Sequence, residues 1–113
     1  MKQPGQIVLF RFPQTDLETG KLRPALLLGK LPDEYDDWLM VSSQTHRAVP
    51  GFDEIVCEDD PDFISSGLKV SNVIRVGRLA VVEGPVLLGA IGEIAPERIE
   101  RIKRRLAEWL VKS

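Results

Sequence analysis

Arg23 is the first residue of this sequence whose surroundings suggest chemistry. Pro24 follows it, and a residue that precedes proline is biased toward an extended conformation. The short apolar run after Pro24 ends at Gly29, a pattern typical of a buried strand rather than a helix. Arg23 would stand where a loop enters a strand, and its planar, permanently charged guanidinium could bind a phosphate through two hydrogen bonds. An exposed arginine with no chemical role is the alternative that position alone favours.

Two other stretches carry side chains suited to chemistry. Ser42–His46 directly follows a predicted strand, Trp38–Val41, and offers hydroxyl, amide and imidazole groups. His46 is the only histidine in the chain, and imidazole has an unperturbed pKa suited to proton transfer near neutral pH. Arg75 and Arg78 lie on a later predicted strand and could bind further phosphates. A polar turn has the same composition as Ser42–His46, so this stretch can also be a plain connection.

Cleavage of RNA without a metal ion is a reaction that these residues could catalyse. The substrate supplies its own nucleophile, the 2′-hydroxyl, so the protein needs only donors for the charge that develops on the phosphate and a group that moves a proton. Other chemistries lack their residues. One cysteine and one histidine make no zinc site, no glycine-rich loop precedes a helix, the acidic clusters lack calcium-loop spacing, and no serine–histidine–aspartate triad can be assigned.

The composition is that of one folded domain. Of the 113 residues, 43% are hydrophobic and 28% are charged, which excludes a disordered chain. The formal net charge is −2, so the molecule as a whole does not indicate nucleic-acid binding. Residues 1–63 contain 6 Lys/Arg and 12 Asp/Glu, whereas residues 64–113 contain 9 and 5. This asymmetry could steer a ligand, or it could reflect solvated acidic loops and a basic helix face.

Neither a membrane span nor a signal peptide is predicted. No stretch approaches the roughly 18 apolar residues that a spanning helix needs. The first residues lack the apolar core of a signal peptide. We therefore expect a cytoplasmic protein with no membrane partner.

The region before the last segment is predicted to contain six or seven short strands. In the first, residues 5–12, Ile7 would face one side while Val8 and Phe10 would face the other, so both faces need a cover or a closed barrel. Residues 13–22 form a loop longer than a hairpin needs, as lids and binding loops often are. Later strands are predicted at residues 38–41, 52–57, 68–82 and 86–94, with a short buried turn at Phe63–Ile64.

The last segment is predicted to be an amphipathic helix that begins at Pro96. Its apolar side chains recur at helical spacing and should face the core: Ile99, Ile102, Leu106, Trp109 and Leu110. Oppositely charged residues four apart should pair: Glu97/Arg101, Glu100/Arg104 and Glu108/Lys112. A basic face remains, either solvated or in contact with RNA or a partner, formed by Arg101, Lys103, Arg104 and Arg105. The predicted fold class is mainly β: a small, strongly bent antiparallel sheet or barrel with one helix over one end.

Several blocks of the sequence, in order, resemble the PemK/MazF family of toxins. They are Gly5–Leu9, Lys21–Leu28, Ser66–Arg75 followed by Arg78–Ala80, and Ile91–Ile94 before the terminal helix. The resemblance covers nearly the whole chain. It implies a single domain over residues 1–113, with an SH3-like barrel over about residues 5–94 and a closing C-terminal helix over about residues 96–112.

The resemblance also implies a function. Members of the family are sequence-specific, metal-independent endoribonucleases that need no cofactor, cleave single-stranded RNA such as mRNA rather than DNA, and inhibit growth. They are usually homodimers, and each is neutralised by a cognate antitoxin in a type II toxin–antitoxin system. The expected partners are therefore RNA, an antitoxin protein and a second copy of the chain.

The site residues of the family fall on identifiable positions of this chain. Its catalytic arginine before proline matches Arg23, and an arginine that PemK-type members use in cleavage matches Arg75. The active-site threonine falls on Gln44 in a gapless match and on Thr45 after a shift of one residue, while Gly77 replaces an aspartate. The expected catalytic residues are Arg23, Thr45 and Arg75. The expected substrate-binding residues are Ser43, Gln44, His46 and Arg78, with Thr15 and Asp16 in the long loop, which matches a mobile loop beside the family's active site.

Two alternatives to a ribonuclease remain open. One is a non-catalytic, CcdB-like member of the same fold that acts by binding a protein. An exposed Trp109-Leu110-Val111 would support it, but helical spacing predicts that Trp109 and Leu110 lie in the core. The other is a plain barrel domain with an unrelated binding role.

Overall fold

The structure of the protein is a computed structural model that describes residues 3–11, 22–32, 36–43, 47–83 and 87–113. Eight helices and strands lie within these ranges: β1 (Gln6–Arg11), β2 (Leu22–Lys30), β3 (Asp36–Ser43), β4 (Glu54–Val56), α1 (Phe63–Ser66), β5 (Asn72–Glu83), β6 (Leu87–Glu93) and α2 (Pro96–Lys112). The mainly β class with a C-terminal helix is therefore confirmed.

All six strands belong to one antiparallel sheet with the order β4-β5-β3-β2-β1-β6. The predicted closure into a barrel is wrong for the described residues, because β4 and β6 are the two edges and do not pair with each other. β4 has only three residues, and the next element along the chain is the short helix α1.

The helix α1 packs against the edge strand β6. Ser65 Oγ donates a hydrogen bond to the carbonyl oxygen of Glu93 at 3.1 Å. A Cβ atom on Gly92 would lie 2.2 Å from the carbonyl oxygen of Ser65, and one on Gly67 would lie 2.1 Å from that of Ile91. Glycine at both positions lets the two backbones touch. A short helix thus covers part of an edge that barrel closure would have paired.

The predicted buried turn at Phe63–Ile64 is correct for one of its two residues only. Phe63 packs against the core, but Ile64 is 91% exposed. Residues three apart lie on the same side of a helix, so α1 buries Phe63 and Ser66 together and leaves Ile64 in solvent.

The sheet buries apolar residues on both of its sides, as the alternation in β1 predicts. Ile7 and Leu26 pair across β1 and β2 and belong to a core that also contains Ile102 of α2. Val8 and Ala25 form the neighbouring pair, and they belong to a second core on the other side. We call these the helix side and the opposite side of the sheet.

The helix α2 begins at Pro96, its first helical position, as predicted. Ile102 and Leu106 are buried, and Ile99 packs against the same core. Within the described part of the chain, no helix is long and apolar enough to cross a membrane.

The last turns of α2 depart from the prediction. Trp109 and Leu110 are 52% and 53% exposed, so their predicted place in the core is wrong. The ring of Trp109 lies 5.8 Å from that of Phe52, and Leu110 borders a mainly apolar groove of about 340 Å³ beside Trp38. These apolar side chains contact the protein on one side and solvent on the other.

Candidate nucleic-acid interface

Arg23 lies near the start of β2, opposite Phe10 of β1, and its side chain is exposed. Residues two apart in a strand point to the same side of a sheet, so Arg23 shares the opposite side with Ala25. The next residues along the strand, 25–28, are buried. As the sequence predicts, an accessible arginine stands at the entrance to a buried strand.

Arg75 lies on the same side of the sheet as Arg23. Ala25 pairs with Val41, and the same register continued by two residues places Arg23 beside Ser43. Ser43 in turn pairs with the residue two positions before Arg75 on β5. Arg23 and Arg75 are therefore separated by two strand spacings across the sheet and two residues along the strand, about 12 Å in all, which two extended arginine side chains can span.

A β-bulge in β5 brings Arg78 to this side as well. In a regular strand Arg75 and Arg78, three residues apart, would point to opposite sides. At this point, however, four residues of β5 (75–78) lie opposite a single residue of β3. Successive side chains of a strand face opposite sides of the sheet, so an odd number of extra residues, here three, reverses the side that each later residue faces. Ile74 lies on the helix side, as does Leu79 by its pairing, so Arg75 and Arg78 both point to the opposite side.

We call Arg23, Arg75 and Arg78 the arginine patch. Arg23 and Arg78 are exposed and Arg75 is half-buried. Within the described residues, none of the three guanidinium groups donates a hydrogen bond to a carboxylate or forms an ion pair. Their donors are therefore available to an external anion, and a guanidinium suits the geometry of a phosphate.

The other predicted site residues are only partly described. Ser43 is half-buried on the side of the arginine patch and already interacts within the protein. The remaining candidates lie outside the described residues, so their roles stay predictions: Thr15, Asp16, Gln44, Thr45 and His46.

Gly77, which replaces the aspartate expected from the resemblance, lies within the bulge. A Cβ atom at this position would be 3.3 Å from Cε2 of Phe52, whose ring packs against the core on the helix side. An aspartate here would crowd that ring. Glycine therefore fits the local packing of this chain.

A second group of arginines lies on α2, and the sequence interpretation missed its central member. Arg98 is only 8% exposed. It donates to Asp62 from Nε at 2.8 Å and from Nη2 at 2.9 Å, to Asp60 from Nη2 at 2.9 Å, and to Glu54 from Nη1 at 2.9 Å. Arg105 Nη1 donates to Glu54 Oε2 at 2.8 Å, and Arg101 also donates to Glu54. We call these six residues the Arg98 cluster.

Four residues of this cluster have pKa values shifted toward the ionised state: Asp60, Asp62, Arg98 and Arg101. The hydrogen bond from Arg98 lowers the pKa of Asp62, although burial opposes the shift. The backbone N–H of Cys57 and then Arg98 lower the pKa of Asp60. Hydrogen bonding to Asp62 raises the pKa of Arg98, and hydrogen bonding to Glu54 raises that of Arg101. The cluster therefore connects α2 to the segment from β4 to α1 by ion pairs.

Two of the four residues of the predicted basic face of α2, Arg101 and Arg105, form ion pairs within this cluster. Arg101 pairs with Glu54 across the fold, whereas the sequence predicted Glu97 as its partner. The predicted pair Glu100/Arg104 is confirmed at 3.1 Å. Of the predicted basic face, Lys103 and Arg104 are exposed and lie outside the Arg98 cluster, whereas Arg101 is exposed but pairs with Glu54. Sequence spacing within the helix could not reveal a partner 47 residues away.

The described residues contain no cluster of metal-ligating side chains. Among them, no group of three or more histidine, cysteine, aspartate or glutamate side chains is arranged to hold a metal ion. The carboxylates of the Arg98 cluster are occupied by guanidinium groups.

Comparison with known proteins identifies the family. A family model described as a PemK-like, MazF-like toxin of type II toxin–antitoxin system matches residues 3–110. No curated protein matches the chain. One similar solved structure is an endoribonuclease in complex with its cognate antitoxin from Mycobacterial species, with a TM-score of 0.67 and 16% sequence identity over 97% of this chain and 95% of that chain. Another is an endoribonuclease from Mycobacterial species, with a TM-score of 0.66 and 18% sequence identity over 96% of this chain and 90% of that chain. At these identities the likeness shows a shared fold. The family match over nearly the whole length establishes that the chain belongs to the PemK-like, MazF-like toxins of type II toxin–antitoxin systems.

Proposed function

We propose that this protein is an endoribonuclease toxin that cleaves single-stranded RNA without a metal ion. The observation that carries the proposal is the arginine patch, three guanidinium groups on one side of the sheet that have no carboxylate partner within the described residues. Membership of a toxin family and a fold shared with two endoribonucleases support it.

The reaction uses a nucleophile that the substrate carries. The 2′-hydroxyl attacks the adjacent phosphorus, and the bond between phosphorus and the 5′-oxygen of the next nucleotide breaks. The products are a 2′,3′-cyclic phosphate and a 5′-hydroxyl. One proton leaves the 2′-hydroxyl and one reaches the departing 5′-oxygen. DNA lacks the 2′-hydroxyl and is therefore not a substrate.

The arginine patch would stabilise charge on the RNA. Arg23 and Arg75 would donate to the non-bridging oxygens of the scissile phosphate, where negative charge develops in the transition state. Arg78 would bind a neighbouring phosphate. Because arginine holds its proton too tightly to act as a base, proton transfer falls to His46, whose imidazole has an unperturbed pKa near neutral pH, and Thr45 would hydrogen-bond to the reacting groups. Further RNA contacts would come from Ser43, Gln44, Thr15 and Asp16.

Incubation of the purified protein with a long RNA in the presence of EDTA tests the proposal. The wild type is expected to cleave the RNA, Arg23→Ala is expected to cleave it far more slowly, and a DNA strand of the same sequence should stay intact. Absence of cleavage by the wild type, or equal cleavage by Arg23→Ala, would contradict the proposal.

The proposed partners follow from the family. The protein would act on cytoplasmic RNA as a homodimer and be neutralised by a cognate antitoxin, as one of the structurally similar endoribonucleases was solved with its own. Sedimentation at micromolar concentration should give twice the chain mass of 12.7 kDa. Co-expression with the antitoxin should restore growth. A monomer in sedimentation would contradict the proposed homodimer, and growth arrest that the antitoxin does not relieve would contradict the proposed antitoxin.

One observation favours a second candidate function, a CcdB-like toxin that acts by binding a protein. Trp109 and Leu110 are half-exposed and Val111 is 86% exposed, so the end of α2 offers an apolar contact that the sequence interpretation had placed in the core. Growth arrest that survives Arg23→Ala while cellular RNA remains intact would select this function. Growth arrest abolished by Arg23→Ala would exclude it.

A further inference from the structure

The bulge in β5 creates a local problem of hydrogen bonding. Four consecutive residues, 75–78, lie opposite one residue of β3, and the pairing of β5 with β4 on its other side ends at Ile74, so the two neighbouring strands cannot supply a carbonyl partner to each of their N–H groups. Val76 in the middle of the bulge is completely buried. A buried N–H without a partner would be costly, and some other acceptor must therefore serve it.

The carboxylate of Asp53 serves as that acceptor. The backbone N–H of Val76 donates to Asp53 Oδ1 at 3.1 Å, and the backbone N–H of Val49 donates to Oδ2 at 2.9 Å. Asp53 lies directly before β4 and is only 8% exposed. One carboxylate thus joins the bulge to the segment that follows the polar run Ser42–His46.

We propose that Asp53 is a positioning residue for RNA cleavage, because it holds the bulge that brings Arg75 and Arg78 to one side of the sheet. This inference rests on the proposed function. The two arginines share a side only while the strand keeps an odd number of extra residues in the bulge. If the bulge slipped by one residue, one of the two arginines would turn to the helix side.

This role differs from the role of Asp62, which is the matched comparison within the chain. Asp62 is also a buried aspartate that accepts a backbone N–H, that of Ala95 at 2.9 Å. Its other partner is Arg98, so it stabilises α2 rather than the bulge. Loss of either carboxylate should destabilise the fold, but only loss of Asp53 should displace the arginine patch.

The test compares Asp53→Ala, Asp53→Asn and Asp62→Ala at a temperature where all three are folded. Asp53→Ala should lower kcat by about 10²-fold, since a misplacement of about 1 Å can have that effect. Asp53→Asn keeps an Oδ1 acceptor for Val76 but places its amide NH2 against the N–H of Val49, so it should recover part of kcat. Asp62→Ala should unfold at a lower temperature than the wild type and keep its kcat.

Hydrogen exchange of the Val76 amide gives a readout that does not depend on activity. Protection of this amide should be lost in Asp53→Ala and kept in Asp53→Asn and Asp62→Ala. If Asp53→Ala fails to fold, Asp53→Ser, whose hydroxyl is too short to bridge Val76 and Val49, is measured in the same way.

Three results would overturn the inference: a wild-type kcat for folded Asp53→Ala or Asp53→Ser, an equal fall of kcat in Asp62→Ala, or a Val76 amide that stays protected without the carboxylate. A wild type that does not cleave RNA would instead refute the proposed function. In that case the Val76 amide still reports whether Asp53 holds the bulge.

Discussion

The arginine patch and the Arg98 cluster contain the same kind of side chain in opposite surroundings. Each of the three arginines in the Arg98 cluster donates to a buried or half-buried carboxylate. The three arginines of the patch have no such partner within the described residues. The basic residues of α2 are more numerous in sequence, yet those of the patch keep their donors available. The partners of an arginine, more than the local density of basic residues, indicate where an RNA phosphate can bind.

The same comparison explains the uneven distribution of charge along the chain. Residues 1–63 carry an excess of acid and residues 64–113 an excess of base. The Arg98 cluster joins these two parts of the chain, because Glu54, Asp60 and Asp62 pair with Arg98 of α2. A large part of the asymmetry is therefore an internal ion-pair network.

Removal of Arg98 should have the largest effect on stability. Arg98→Met leaves the carboxylates of Asp62 and Glu54 buried beside one cation fewer, and removal of one partner of a buried ion pair costs about 3–5 kcal/mol. Urea unfolding should show this loss in the free energy of unfolding, whereas Arg104→Ala, an exposed site, should change it by less than about 0.5 kcal/mol. Equal effects of the two substitutions would show that the Arg98 cluster does not hold the fold.

Removal of Arg75 should have a large effect on activity and almost none on stability. Arg75→Ala removes a donor for the charge on the scissile phosphate, and loss of one such donor lowers kcat by about 10²–10³-fold. Arg75→Lys should recover only part of this loss, because an ammonium cannot donate bidentately. A fall in the free energy of unfolding as large as that of Arg98→Met would place Arg75 among the structural arginines.

The pH dependence of stability should come from the Arg98 cluster. Because the pKa of Asp62 in the folded protein is lower than its ordinary value of 3.8, the ionised carboxylate contributes stability above about pH 4, and this contribution is lost as the pH falls through the folded-state pKa. Urea unfolding between pH 7 and pH 2.5 should show this loss. Asp62→Asn should be less stable at pH 7 and lose less stability on acidification. An unchanged pH profile in Asp62→Asn would assign the acid sensitivity to other groups.

Arg78 should show the smallest effect, confined to RNA binding. If it binds a neighbouring phosphate, Arg78→Ala should reduce the slope of log K against log salt concentration by about 0.7 for a single-stranded ligand. Binding of an RNA with a 2′-deoxy group at the cleavage position, measured at several salt concentrations, gives this slope. An unchanged slope would remove Arg78 from the interface and leave Arg23 and Arg75.

Local patterns predicted the features of the fold that depend on neighbouring residues. Pro24 and the apolar run behind it predicted the placement of Arg23, and Pro96 with the spacing of Ile102 and Leu106 predicted α2. The pairing of Arg98 with Asp62 could not be predicted in this way, since 36 residues separate them and the fold brings them together.

Gly77 predicts a bulge or a bend in β5, and the bulge is confirmed, but sequence reasoning could not supply which side of the sheet it gives to Arg78. Arg75 and Arg78 look like residues on opposite sides of a strand, and only the register of β5 against β3 places them together. Gly77 was the available signal, because glycine within a strand pattern indicates a bulge. The number of extra residues, which decides the side, depends on pairing with a strand more than 30 positions away in sequence. The exposure of Trp109 likewise depends on how far the fold extends beneath α2.

The most direct test of the account compares two exposed arginines, Arg23 of the patch and Arg104 of α2. The value of kcat/KM for cleavage of one RNA in EDTA is measured for the wild type, Arg23→Ala and Arg104→Ala. The account predicts a loss of about 10²–10³-fold for Arg23→Ala and a wild-type value for Arg104→Ala. A loss in Arg104→Ala that equals or exceeds that in Arg23→Ala would contradict the account and move the RNA to the basic helix.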